Sequence, residues 1–201
     1  MKKTPEQVKR GELKAVFDKV LSTHQISLSP ETIEIFEGKN SDFTTAKFSF
    51  MQKTSDEEGK IVTIENAEGK GFLDCLFQGL HNYYKQDFPS LEKIKLVDLI
   101  VKPAIIKKKK SFGSDASAYT VFKVEVSEKG LVEFVNESRS LVYSGFCTAL
   151  KILEFYINCE KSFIKLQNIL EDASRRNRQD IVENCKFDLS KITQMNTYEK
   201  E

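Results

Sequence analysis

Two stretches decide the fold: Gly69-Lys70-Gly71-Phe72-Leu73-Asp74-Cys75-Leu76-Phe77 and Ser144-Gly145-Phe146-Cys147-Thr148-Ala149-Leu150. Each opens an apolar helical pattern, and each follows the same kind of segment. Upstream of the first lie Thr45-Ala46-Lys47-Phe48-Ser49-Phe50, a turn at Glu58-Gly59-Lys60, and Ile61-Val62-Thr63-Ile64. Upstream of the second lie Ser117-Ala118-Tyr119-Thr120-Val121-Phe122, a turn at Glu128-Lys129-Gly130, and Leu131-Val132-Glu133-Phe134-Val135. Strand, turn, strand, loop and helix thus occur twice, roughly 70–75 residues apart, which is too few copies for a solenoid and predicts a pseudo-two-fold domain. Such a duplication sets two matching faces side by side. It suits a ligand pocket or a self-pairing surface better than an asymmetric catalytic cleft.

Working outward, Pro5 to about Thr23 reads as a helix. Thr4 is placed to cap it, Pro5 suits its first turn, and Val8, Leu13, Val16, Phe17, Val20 and Leu21 recur at helical spacing. Ser29-Pro30 predicts a break, followed by a short strand over Thr32–Phe36. Strands are expected at about 43–54 and 60–66, then a helix to about Gln86, before Pro89. Leu91–Ile106 is β-rich, with Pro103 marking a bulge or a sheet edge. From Ala116 to Ser127 the pattern alternates. Tyr119, Val121, Lys123 and Glu125 share one face; Thr120, Phe122, Val124 and Val126 share the other. A helix over about Leu141–Asn158 carries Phe146, Ala149, Leu150, Leu153 and Ile157 on one packing face. A further amphipathic helix is predicted at 162–182, then a polar, fraying tail. The fold class is therefore α+β: duplicated βββα-βββα units, two helices on antiparallel sheet, plus N- and C-terminal helices. The expected divisions are an N-terminal helical extension (1–28), the βββα-βββα body (29–160), and a C-terminal helix with its tail (161–201).

Composition narrows function by exclusion. The chain has 201 residues, 40% hydrophobic and 30% charged, with a formal net charge of +1. That charge exerts no global pull on nucleic acid or anionic membrane. No apolar run reaches the ~20 residues of a membrane span. No apolar stretch follows the charged start to form a signal peptide, so a cytoplasmic location is expected. Four cysteines without Cys-x-x-Cys spacing read as reduced thiols, three of them on apolar helix faces. Only His24 and His81 are present, on separate elements, so neither a catalytic triad nor a metal cluster is suggested. No catalytic residue, metal ligand or cofactor is assigned. Gly69-Lys70-Gly71 lacks the further glycine or lysine of a nucleotide loop. Asp74 fits the dipole of a first helical turn, and Asp98 suits pairing with a lysine on a neighbouring strand.

In order and spacing, the stretch from about 43 to 158 resembles the C-terminal regulatory domain of 2-isopropylmalate synthases and citramalate synthases. The family's Gly-x-Gly-Pro-Val-Asp-Ala is matched by Gly69 to Cys75. Its Leu-x-Asp-Tyr-x-Val is matched by Leu96-Val97-Asp98-Leu99-Ile100-Val101. Its Asp-Ala pair corresponds to Asp115-Ala116, and its Val-Gly-Val-Ser-x-Asn-Ile-Ile to Val135 through Val142. The chain departs from the pattern at Phe72, Leu99, Asn136 and Glu137.

The resemblance implies a homodimer that binds leucine or isoleucine at its interface and regulates leucine or isoleucine biosynthesis. A separately encoded synthase is the implied partner. The implied effector-binding residues are Gly71, Leu73, Asp74, Leu96, Leu99, Pro103, Asp115, Ala116, Ala118 and Glu137. Helix N–H groups would hold the α-carboxylate, Asp74 or Asp115 the ammonium, and the leucines the side chain. The family's enzymes are acetyl-CoA-dependent acyltransferases built on a (β/α)8 barrel, for which these residues leave no room; the chain is not expected to be an enzyme by itself. Two other readings stand beside this one. The first is a structural or interaction module with a pocket closed by Phe72 and Glu137. The second, disfavoured, is a nucleic-acid contact through the Lys107–Lys110 loop.

Overall fold

The computed structural model describes residues 5–38, 42–56, 58–103, 117–126, 129–138 and 140–198, with residues 5–8, Pro103 and Ala118 described as backbone only. Helix α1 (Pro5–Val20) buries Leu13, Val16, Phe17 and Val20, the side its periodicity marks. Strands β1 (Ser27–Phe36), β2 (Thr44–Lys53) and β3 (Lys60–Gly69) form one antiparallel meander, covered by α2 (Phe72–Tyr84). A 3-10 helix at Pro89–Lys93 leads into the second meander: β4 (Ile94–Pro103), β5 (Ala118–Val126) and β6 (Gly130–Ser138). Helices α3 (Leu141–Arg175) and α4 (Gln179–Ile192) complete the chain. The expected duplicated βββα-βββα, α+β architecture is the one observed.

The duplication extends to individual bonds. In the first unit the Cys75 thiol on α2 donates to the carbonyl of Ala67 on β3, at 3.0 Å. In the second, the Ser144 hydroxyl on α3 donates to the carbonyl of Asn136 on β6, at 3.4 Å. Both bonds span eight residues, so each helix is pinned near its start to the end of its own third strand. Each outer sheet face carries an ion pair on its central strand, though not at equivalent positions: Lys47 pairs with Glu65 of the third strand at 2.8 Å beside Glu34, and Lys123 pairs with Asp98 of the first strand at 2.9 Å beside Glu133. Inward, β2 buries Ala46, Phe48 and Phe50, and β5 buries Thr120, Phe122, Val124 and Val126, as its alternation predicts. Gly69 is needed for this geometry, because a Cβ there would lie 2.3 Å from the Cys75 amide nitrogen.

Three expectations are corrected. Ser29-Pro30 does not interrupt the chain; both lie inside β1. Pro30 sits at a register shift on an edge strand, where a missing N–H removes no ladder bond. The helices expected at 141–158 and 162–182 are one 35-residue helix, since Cys159-Glu160-Lys161 contains neither glycine nor proline to end it. The expected boundary at 160/161 therefore falls within α3. The tail does not fray but forms α4. Val182, Cys185, Leu189 and Ile192, three and four residues apart in a charged background, are buried, and Met195 and Asn196 follow them. All four cysteines are free thiols.

Helix α3 is packed from several sides: α1, α2, α4, β1, β5 and β6 all meet it. Asn158 donates to the Ile26 carbonyl and accepts from the Ile26 amide, each at 2.9 Å, in a buried setting. Glu154 accepts the Leu28 amide at 2.8 Å. Farther along, the buried Glu160 carboxylate accepts from the Ser90 hydroxyl at 2.6 Å, and Asn196 donates to the Ser90 carbonyl at 3.0 Å. The C-terminal residues thereby strap the linker between the two units to α3. Lys19 and the buried Asp188 join α1 to α4 at 2.7 Å.

Asn158→Leu strands two buried backbone groups of Ile26. Urea unfolding is expected to show a loss of about 2–4 kcal/mol at unchanged m-value; a loss under about 0.5 kcal/mol would show that the pairing is dispensable. Burial raises the Glu154 carboxyl pKa above its ordinary value. Its protonated form is thus favoured on folding, so its contribution falls as pH rises through the carboxylate range. Glu154→Gln keeps an acceptor for Leu28 and is expected to gain in melting temperature over the wild type as pH increases. An advantage that shrinks with pH would contradict this.

Candidate effector site

The first group of expected site residues lies at the start of α2. Gly71 is the residue before the helix, extended, and provides no side-chain cap. Asp74 reaches back instead: its carboxylate accepts the Lys70 amide at 3.0 Å. The carboxylate expected to face a ligand ammonium is committed through one oxygen to its own loop. Leu73 is only 9% exposed. It packs against Gly145 of α3, where a Cβ would fall 2.4 Å from Leu73 Cδ2 and 3.4 Å from a Phe72 ring carbon. The two helix starts thus touch across Gly145, and Leu73 is a packing residue between them.

The second group lies on the second sheet. Leu96 stands opposite Val124, and Leu99 opposite Phe122, both on the inward face. Both are half-buried because β4 is an edge strand. Asp98 pairs with Lys123 on the adjacent strand, as the sequence suggested; that hydrogen bond holds its carboxyl below the usual range. Pro103 and Ala118 are register partners at the far end of the sheet. Glu137 is exposed and sits opposite Tyr119, whose phenol it pushes up through a hydrogen bond. By register, Glu137 is on the outer face, away from Leu96 and Leu99. The structure therefore brings Gly71, Leu73 and Asp74 together, and separately Leu96 and Leu99; Glu137 joins neither group. Asp115, Ala116 and the Lys107–Lys110 loop lie outside the described residues.

Between the groups runs a polar seam that sequence reasoning did not assign. The Thr120 and Ser144 hydroxyls are 2.6 Å apart, and Thr148 lies 3.3 Å from Thr120. All three are fully buried. Asn136 donates to Ser144 at 3.2 Å and accepts from the Lys151 ammonium at 2.5 Å. Thr148 also donates to the Ser144 carbonyl at 2.7 Å. Each hydroxyl is satisfied internally, as burial requires. A signal was available: Ser144 and Thr148, one turn apart, share the side of the helix opposite Phe146 and Leu150, a hydroxyl pair where a second buried side would run.

Two surface grooves lie elsewhere, and among the described residues Gly71, Leu73, Asp74, Leu96, Leu99 and Glu137 line neither. One runs between β3 and α2, past Asn66, Gly79 and Tyr83; the other lies between α1, β6 and α3. Among the described residues no group of three or more His, Cys, Asp or Glu is placed to hold a metal ion, and no helix is long and apolar enough to cross a membrane. No family model matches the sequence, and no curated protein matches it.

The contact across Gly145 can be measured by a double-mutant cycle. Gly145→Ala is expected to destabilise by about 1–3 kcal/mol through overpacking, and Leu73→Ala by about 2–5 kcal/mol through a cavity. In the double variant the new methyl enters the vacated space, so the combined cost is less than the sum by at least about 0.5 kcal/mol. Strict additivity in chemical denaturation would mean that the two helix starts do not bear on each other.

Proposed function

We propose that this chain is a regulatory, effector-binding dimerisation domain of the type found in 2-isopropylmalate and citramalate synthases, responding to a branched-chain amino acid and acting in the cytoplasm on leucine or isoleucine biosynthesis. The observation that carries the reading is the duplicated βββα unit with its repeated tether, Cys75 to Ala67 and Ser144 to Asn136. The uneven cover of the first strands supports self-association. Helix α3 lies along β1, whereas on the equivalent face of β4 Leu96 and Leu99 are half-buried and Val101 is 43% exposed. A two-fold mate laid on β4 would bury this apolar edge. The effector would sit where such a mate meets the start of α2, with Leu96 and Leu99 as its apolar wall.

A second reading, an interaction module without an effector, draws on a specific observation as well. Leu73 fills the space at Gly145, and Asp74 is turned to Lys70, so the α2 end is closed from within.

Sedimentation and thermal-shift measurements separate the two. The regulatory reading expects a mass of twice 23.0 kDa. It also expects stabilisation by leucine or isoleucine of about 2.7 kcal/mol at 100 times the dissociation constant, a shift of several degrees. A dimer indifferent to leucine, isoleucine and valine would favour the interaction module, and a monomer would overturn both.

A further inference from the structure

Helix α1 crosses beside the second sheet, and a groove of about 390 Å3 opens between α1, β6 and α3. Its floor is aromatic. Phe155 meets Phe17 edge-on at 5.8 Å between ring centroids, and meets Phe134 edge-on at the same distance. Phe17 and Phe134 are buried, and Phe155 is half-buried. The rim is cationic. The Arg10 guanidinium lies 4.6 Å above the Phe134 ring, an arrangement that holds a cation flat over an apolar surface. Lys14 follows Arg10 by one helical turn and so lies on the same side of α1. From the other wall comes Lys151, steadied by the Asn136 side chain at 2.5 Å; an ammonium has two further donors to offer.

Among the described residues of this lining Glu154 is the one carboxylate, against Arg10, Lys14 and Lys151. One of its oxygens already accepts the Leu28 amide. The neutral polar side chains are also engaged: Asn158 with both backbone groups of Ile26, Gln25 with Asp18 and the Ser22 carbonyl. The ammonium of Lys151 and the exposed Lys14 therefore have donors to offer, and they border hydrocarbon. The volume falls at the lower end of the range for small-molecule sites, ~300–1,000 Å3.

We propose that this groove binds a small organic carboxylate with an aromatic or branched body. The body rests on Phe17, Phe134 and Phe155, and the carboxylate lies among Arg10, Lys14 and Lys151. The site is separate from the α2 start and from β4, and it stands whether or not an amino acid binds there. Because its walls come from α1 and from the second unit, occupancy would also clamp the N-terminal helix onto the body.

The test is isothermal titration of the full chain at ~50 mM salt, where exposed charges are weakly screened. The probes are 3-phenylpropionate, 3-phenylpropanol and inorganic phosphate. Saturable one-site binding of 3-phenylpropionate is expected, with the alcohol and phosphate each about tenfold weaker or more. Lys14→Gln alone, at an exposed position, and Lys14→Gln with Lys151→Gln are expected to weaken it stepwise while circular dichroism stays unchanged. Lys60→Gln, on β3, is expected to leave it unaltered. Absence of binding up to ~10 mM probe, equal binding of the alcohol, or unchanged affinity in both groove variants would each overturn the proposal.

Discussion

The pairing of Asn158 with both backbone groups of Ile26 is the contact on which the arrangement of the two units depends. Ile26 precedes the register of β1 with β2, which begins at Ser27, so its N–H and C=O have no strand partner. Buried backbone groups must be paired somewhere, and here a side chain of α3 does it from both sides. With Glu154 taking the next free amide at Leu28, β1 is fastened along the helix that also covers β5 and β6. At 1.5 Å per residue, the 35 residues of α3 span about 50 Å. That is long enough to serve both sheets and still run on to α4.

The two units are alike where they touch their own helices and unlike beyond. The thiol of Cys75 and the hydroxyl of Ser144 make the same local bond, whereas the outer ion pairs of Lys47 and Lys123 fall two positions apart along the central strands and reach different neighbours. After α2 the chain turns into a linker; after the start of α3 it continues for several more turns, reverses, and returns. Its last residues bind that linker through Asn196 and Ser90, beside Glu160. Asymmetry is thus added at both ends, by α1 and by the chain beyond the start of α3, and the C-terminal part locks the repeat pair.

Much of this was legible from local patterning. The alternation over 118–126 placed Thr120, Phe122, Val124 and Val126 inward, and the apolar spacing of α1 marked its buried side. The glycines before α2 were read as a loop entering a helix, and steric demand explains Gly69 alone. Other features were hidden for identifiable reasons. The polarity of 176–198 masked four apolar residues at helical spacing. Pro30 looked like a break because a lone sequence does not say which strand will be an edge. The placement of Glu137 with Tyr119 followed from strand parity, a signal that pointed away from its assignment to a pocket.

By itself the sequence determined the class, the two βββα units and the buried side of most elements, though not the length of α3 or the presence of α4. These follow from periods of two and 3.6 residues, which act between near neighbours in the chain. Tertiary structure decided which faces meet: that Leu73 fills the space at Gly145, that Asp74 turns to its own loop, that β4 keeps an open edge, and that Arg10, Lys14 and Lys151 line one groove with three phenyl rings. Those outcomes depend on close packing and on partners far apart in sequence, and no local pattern records either.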